Sequence, residues 1–196
     1  MTKLESSFIA AVIALAAAAP AGAQETPGAL APGRVELSTA ASFTNFKMDG
    51  VDESFTVVSV PLRVGYFVTR SLALEGEVLA THVDFGGDDD DNGTGAVFSG
   101  NALYHFSPQS RITPFVLVGG GAGNAQEFLN LAYKTDHTVT AFHAGAGLKA
   151  FMSNRAALRL EYRFSHYSGE ESADFFSDGA STNLHKVLVG FSIFFR

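Results

Sequence analysis

His166 and Ser168 are the pair in this sequence whose types and spacing could support covalent chemistry. A serine hydroxyl becomes a nucleophile when a histidine base lies within hydrogen-bond reach of it. Residues two apart on an extended strand share one face, so a strand at this position would meet that condition. A second set of reactive types is dispersed: Glu36, Arg63, Glu75, Glu77, Lys149, Arg159, Glu161 and Arg163 interrupt otherwise apolar segments. A lone charge in such surroundings is costly, whereas four acids and four bases can neutralise one another. Other candidates fail on spacing. The glycine-rich stretch 119–123 fits neither the dinucleotide nor the phosphate-loop pattern and is read as strand glycine. The four aspartates at 88–91 have the hard oxygens calcium prefers but not the alternating ligand spacing, and are read as a solvated loop. The six histidines, at 82, 105, 137, 143, 166 and 185, show no metal-ligand spacing. No metal and no cofactor is expected.

The elements that would position these groups follow from period-two alternation. Over 156–167, Leu158, Leu160, Tyr162 and Phe164 fall on one parity and Arg159, Glu161, Arg163 and Ser165 on the other. A wholly apolar face opposite a charged one predicts a strand between two different environments. The same pattern sets Val58, Val60, Leu62, Val64 and Tyr66 against Ser59, Arg63 and Gly65. It also sets Val187, Val189, Phe191, Ile193 and Phe195 against Gly190 and Ser192. Turn signals divide the chain into eight strands, near 34–45, 54–67, 72–83, 95–106, 112–125, 137–151, 156–168 and 183–195. The fifth is apolar on both parities, which leaves its faces unassigned.

Connection lengths alternate long and short, and charge follows length. The four long loops carry fourteen acids, while the three short turns carry Arg70, Arg111 and Arg155 and no acid. Short turns at one end, long loops at the other and an even strand number describe an all-β, eight-stranded antiparallel up-and-down transmembrane β-barrel with both termini in the periplasm. A soluble barrel would point the charged parity to water, and a membrane barrel would point it into the lumen. Alternating loop lengths, the aromatic last strand and the charge balance favour the lumen. Arg159 and Arg163 on strand seven would then face Glu75 and Glu77 on strand three across a lumen just wide enough for side chains. A plugged interior is expected rather than a pore.

The N-terminus reads as an export signal. Lys3 precedes the apolar run 8–19, and Ala21-Gly22-Ala23 supplies a small-residue cleavage site. The expected organisation is a signal peptide at 1–23, a flexible Pro/Gly segment at 24–33 and an outer-membrane barrel at 34–196. The absence of cysteine excludes a disulfide framework, and the net charge of −7 argues against nucleic acid as a partner.

The stretch TPFVLVGGGAG at 113–123, AGAGL at 144–148, LEYR at 160–163 and the aromatic terminal strand resemble the OmpA-like family of small outer-membrane β-barrels. That resemblance implies residence in the outer membrane of a Gram-negative bacterium, among its lipids and lipopolysaccharide. It also implies insertion by the barrel assembly machinery, which reads a terminal aromatic; here Phe195 is penultimate and Arg196 is last.

A second stretch, YRFSHYSG at 162–169, followed by Asn183, is similar to lipid A deacylases. That family carries a His-x-Ser-Asn motif on its penultimate strand and an acid in the following loop that orients the histidine. The resemblance implies His166 as base and Ser168 as nucleophile on the lipid-facing wall. Gly169 stands where the family has asparagine, and Glu170, Glu171, Asp174 and Asp178 are the candidate acids. Three roles therefore stand open: a structural or surface-interaction barrel, a lipid A ester hydrolase, and a soluble periplasmic ligand carrier. The first is the reading the residues favour. Loop partners and oligomeric state are not encoded in any motif.

Overall fold

The computed structural model describes residues 30–47, 54–84, 93–125, 138–169 and 181–195, and these form one closed barrel. The segment read as a signal peptide lies outside the described residues, as do Arg196, the aspartates at 88–91 and the acids Glu170, Glu171, Asp174 and Asp178. Eight strands follow one another around the barrel: β1 (Val35–Lys47), β2 (Ser54–Phe67), β3 (Leu72–Asp84), β4 (Gly93–His105), β5 (Ile112–Ala125), β6 (Thr138–Ser153), β7 (Ala156–Gly169) and β8 (Ser181–Phe195). Each pairs antiparallel with the next, and β8 closes on β1. The strands near 34–45, 95–106, 137–151 and 183–195 differ from expectation by two residues or so at an end. The β6 shift coincides with a bulge between Phe151 and Ser153, which lengthens the strand beyond its regular alternation.

Alternation places the two parities in opposite environments. Phe43, Leu62, Phe98 and Val189 stand 60–70% exposed on the outer wall, while Arg63, Arg159, Glu161 and Arg163 are at most 2% exposed inside. Apolar outside and charged inside is the inverse of a soluble barrel and fits a wall bathed in hydrocarbon. The soluble-barrel alternative, with these arginines in water, is therefore excluded. The ambiguous β5 is resolved too: Thr113, Phe115 and Leu117 point inward, and Val116 and Val118 point out.

Two apolar layers close the interior. At the turn end, Leu30, Phe67, Leu103, Phe115, Phe151 and Phe194 pack together. Towards the loop end, Leu79, Val97, Val139, Ala141 and Tyr167 form a second layer, with Leu184 against it. The segment 24–33, expected to be flexible, packs over its described part. Leu30 is 2% exposed within the aromatic layer, and the amide of Gly33 donates to the carbonyl of Phe67 at 2.8 Å. An apolar side chain beside an aromatic-lined mouth gains by leaving water, and that gain orders the segment. Gly33, at a φ of +81°, makes the bend that carries the chain into β1.

Gly147 shows how the wall admits the aromatic layer. It pairs directly with Phe115, and a Cβ at this position would lie 2.5 Å from the Phe115 ring and 2.3 Å from the Leu160 carbonyl. The ring therefore covers bare backbone. Gly147→Ala is expected to lower barrel stability by about 1–3 kcal/mol, the usual cost of overpacking. Because the chain has no tryptophan, urea unfolding followed by the gel mobility of folded and unfolded forms is the suitable measurement.

Candidate functional site

Two groups of side chains stand out, one inside the barrel and one on its outer wall. The inner group contains all eight of the dispersed charges. β7 supplies the centre, since Arg159, Glu161 and Arg163 are successive inward residues. Glu161 receives Arg159 Nη2 at 2.7 Å, Arg163 Nη2 at 2.6 Å and Arg63 Nη2 at 3.4 Å. Across the lumen, Arg159 Nη1 meets Glu75 Oε2 at 2.6 Å, and Arg163 grips Glu77 through both amino groups at 2.5 and 2.9 Å. Arg63 Nε donates to Glu77 Oε2 at 2.6 Å. Lys149 does not turn to Glu161 on the adjacent strand; it crosses the barrel to Glu36 Oε2 at 2.5 Å. The register explains this choice, because Lys149 pairs directly with Arg159, which already occupies Glu161.

The surroundings suit the charges. Lys149 Nζ lies 5.5 Å from the ring centres of Phe67 and Phe115, and Arg159 Cζ lies 4.9 Å above Phe115. Aromatic faces stabilise cations at such distances. Above the network, His143 Nε2 donates to Asn101 Oδ1 at 2.5 Å, and Asn101 Nδ2 donates to Glu75 Oε1 at 3.4 Å. The first of these bonds runs over Gly119, where a Cβ would fall 1.9 Å from Asn101 Oδ1. The glycine stretch thus leaves room for a polar bridge from β4 to β6.

Sequence reasoning missed some lumenal groups. Lys186 is 4% exposed on the inner face and donates to Ser59 Oγ at 3.1 Å. Arg34 is buried at the turn end, with Nη2 donating to the Phe194 carbonyl at 3.4 Å. The described lumen therefore carries two bases beyond the balanced set of eight. The signal for Lys186 was present, since it shares parity with Gly190 and Ser192. Asn101 and His143 gave none, because neutral polar side chains do not interrupt an alternation pattern.

The outer group lies on β6, β7 and β8 near their loop ends. Ser168 Oγ is 2.8 Å from Thr140 Oγ1. His166 Nδ1 donates to Asn183 Oδ1 at 2.8 Å, and the Tyr162 hydroxyl is hydrogen-bonded to His185 Nδ1 at 2.6 Å. His166 and Ser168 share the lipid-facing side, but among the described residues no hydrogen bond joins them. Asn183 holds the imbidazole by one nitrogen and leaves Nε2 directed away from that bond, which is the arrangement an orienting residue gives a base.

The family model of the outer membrane protein β-barrel domain matches residues 8–195. No curated protein sequence matches the chain. Solved barrels of other outer-membrane proteins resemble it, among them the following three. The N-terminal β-barrel domain of Pseudomonas aeruginosa OprF is 18% identical over 84% of this chain and 98% of its own, with a TM-score of 0.51. Neisserial surface protein A is 15% identical over 83% and 96%, with a TM-score of 0.55. Ail, the attachment invasion locus protein of Yersinia pestis, is 14% identical over 84% and 99%, with a TM-score of 0.51. At these identities the likeness is one of fold.

Removing one member of the inner network strands its partners. Glu161→Gln is expected to cost about 3–5 kcal/mol, because three arginines then share too little negative charge. Arg159→Met together with Glu75→Met should cost less than the sum of the two single changes, since the double variant leaves neither partner of that pair behind. Urea midpoints for the four proteins of this cycle provide the comparison.

Proposed function

From the premise that this chain belongs to the outer membrane protein β-barrel family, we propose that it is a closed, internally braced barrel that holds its acidic loops at the cell surface. The outer membrane of a Gram-negative bacterium is its location. One observation carries the role: ion pairs linking β1, β2, β3, β6 and β7 lie between two apolar layers. A solute crossing the lumen would have to break charge pairs in a low-dielectric space and part both layers, and each step opposes flow. A rigid support for loops needs no such passage. The loops, with their fourteen acids, are then the working surface, turned towards partners or divalent cations outside. In planar bilayers the purified protein should give no steady conductance. Stable, large single-channel steps from the wild-type chain would defeat this reading.

A second reading is supported by the bond between His166 Nδ1 and Asn183 Oδ1. If Ser168 leaves Thr140 and turns to His166 Nε2, the wall holds nucleophile, base and orienting amide, all facing the lipid. Its substrate would be an acyl ester of lipid A: the serine oxygen attacks the ester carbonyl as the imidazole takes its proton, the ester C–O bond breaks and the departing hydroxyl recovers that proton, and water then hydrolyses the acyl-serine to free the fatty acid. Under this reading, expression of the wild-type chain removes an acyl chain from lipid A and Ser168→Ala abolishes that change. A lipid A mass profile unaltered by the wild-type protein refutes it.

A further inference from the structure

The apolar layer at the turn end has one member that no strand carries. Each strand from β2 to β8 contributes a side chain to it, from Phe67 on β2 to Phe194 on β8, whereas β1 contributes none. Leu30, upstream of β1, takes that place and is 2% exposed there. Its segment is tied to both neighbours of β1. The amide of Gly33 donates to the Phe67 carbonyl of β2 at 2.8 Å, and Arg34 Nη2 donates to the Phe194 carbonyl of β8 at 3.4 Å. The turn end is thus closed by strand residues together with one residue on a tether.

The tether is built to move. Gly33 bends at a φ of +81°, and a Cβ at this position would meet nothing within 4 Å, so the bend is a hinge with open space around it. Before the hinge, one turn brings the Arg34 amide to the Ala31 carbonyl at 3.2 Å. Among the described residues no backbone hydrogen bond joins residues 30–32 to a strand. Burial of the leucine side chain therefore holds the tip, and favours the closed position about 10- to 100-fold. Unfolding a whole domain is disfavoured by roughly ten-thousandfold or more. The tip opens many times for each loss of the barrel, as weakly held elements do. Behind it lie His105, between the rings of Phe67 and Phe115 at 5.3 and 5.8 Å, and Lys149, whose Nζ is 5.5 Å from the same two rings and paired with Glu36. His105 Nε2 has no hydrogen-bond partner among the described residues.

We propose that residues 30–34 form a hinged lid over the turn end of the lumen. Leu30 swings out on Gly33 while the barrel stays folded, and water then reaches His105 and the Lys149–Glu36 pair. The layer of Leu79, Val97, Val139, Ala141 and Tyr167 at the loop end shares no residue with this segment and stays shut. The lid rests on the closed-barrel reading and adds to it a point where closure is reversible.

The chain has no cysteine, so single thiols can report the opening. Ala157→Cys places one in the turn-end layer and Ala141→Cys places one in the loop-end layer, both at buried positions. The full chain in nanodiscs is treated with a charged, water-soluble methanethiosulfonate, and labelling rates are compared with and without a change in the lid. Leu30→Asp should speed labelling at 157 about tenfold or more, leave the rate at 141 unchanged and keep the gel mobility of the folded barrel. Gly33→Val is a second variant that leaves Leu30 in place. It strains the hinge at positive φ without a clash, and should raise the rate at 157 in the same direction. An equal rise at 157 and 141 means that the whole barrel opens and overturns the lid, as does a Leu30→Asp chain that never reaches the folded mobility. Rates at 157 that neither variant changes overturn it too, while a wild-type chain without conductance would still uphold the closed-barrel reading.

Discussion

Everything inside this barrel answers to the cost of placing charge where water cannot reach it. A single carboxylate or guanidinium in that interior would be strongly destabilising, and no neighbouring strand could offset it alone. The chain meets the constraint by making Glu161 a shared acceptor for three arginines and by letting Arg159 and Arg163 span the lumen to β3. Each pairing closes only if the strands hold their register. A slip of one residue would turn the whole set towards lipid, so the network also fixes register. Strands far apart in sequence are thereby tied together: Lys149 and Glu36 lie 113 residues apart.

The apolar layers and the wall follow from the same constraint. Aromatic side chains at the turn end shield the ion pairs from water at that end and present ring faces to Lys149 and Arg159. They fit because glycine stands opposite, as Gly147 does for Phe115. Leu30 completes that layer from outside the strands, which gives the short N-terminal segment a structural task. On the outer wall the requirement is reversed, and the large exposed side chains there are mostly apolar. The hydroxyl and imidazole groups of β6, β7 and β8 sit near the loop ends, where the bilayer becomes polar and such rings and hydroxyls are tolerated.

Much of this was legible from residue order. The alternation in 156–167 identified a strand, its two environments and the side on which Arg159, Glu161 and Arg163 would lie. Turn signals gave the strand number, and alternating connection lengths gave the up-and-down path. What residue order could not supply was the partner of each charge. Lys149 had an acid on the neighbouring strand and took one across the barrel, because side-chain reach and competition from Arg159 settled the pairing. The faces of β5 were equally closed to pattern reading, since both its parities are apolar and only the register with β4 and β6 decides which enters the lumen.

The sequence alone therefore determined the architecture, because period-two patterning, turn composition and loop length are local properties that a barrel repeats eight times. Tertiary structure alone decided two things: which charges meet, and that His166 is held by Asn183 while Ser168 is held by Thr140. Each depends on the relative height of strands that are distant in sequence. That height is set by the closed barrel as a whole and is written in no single segment.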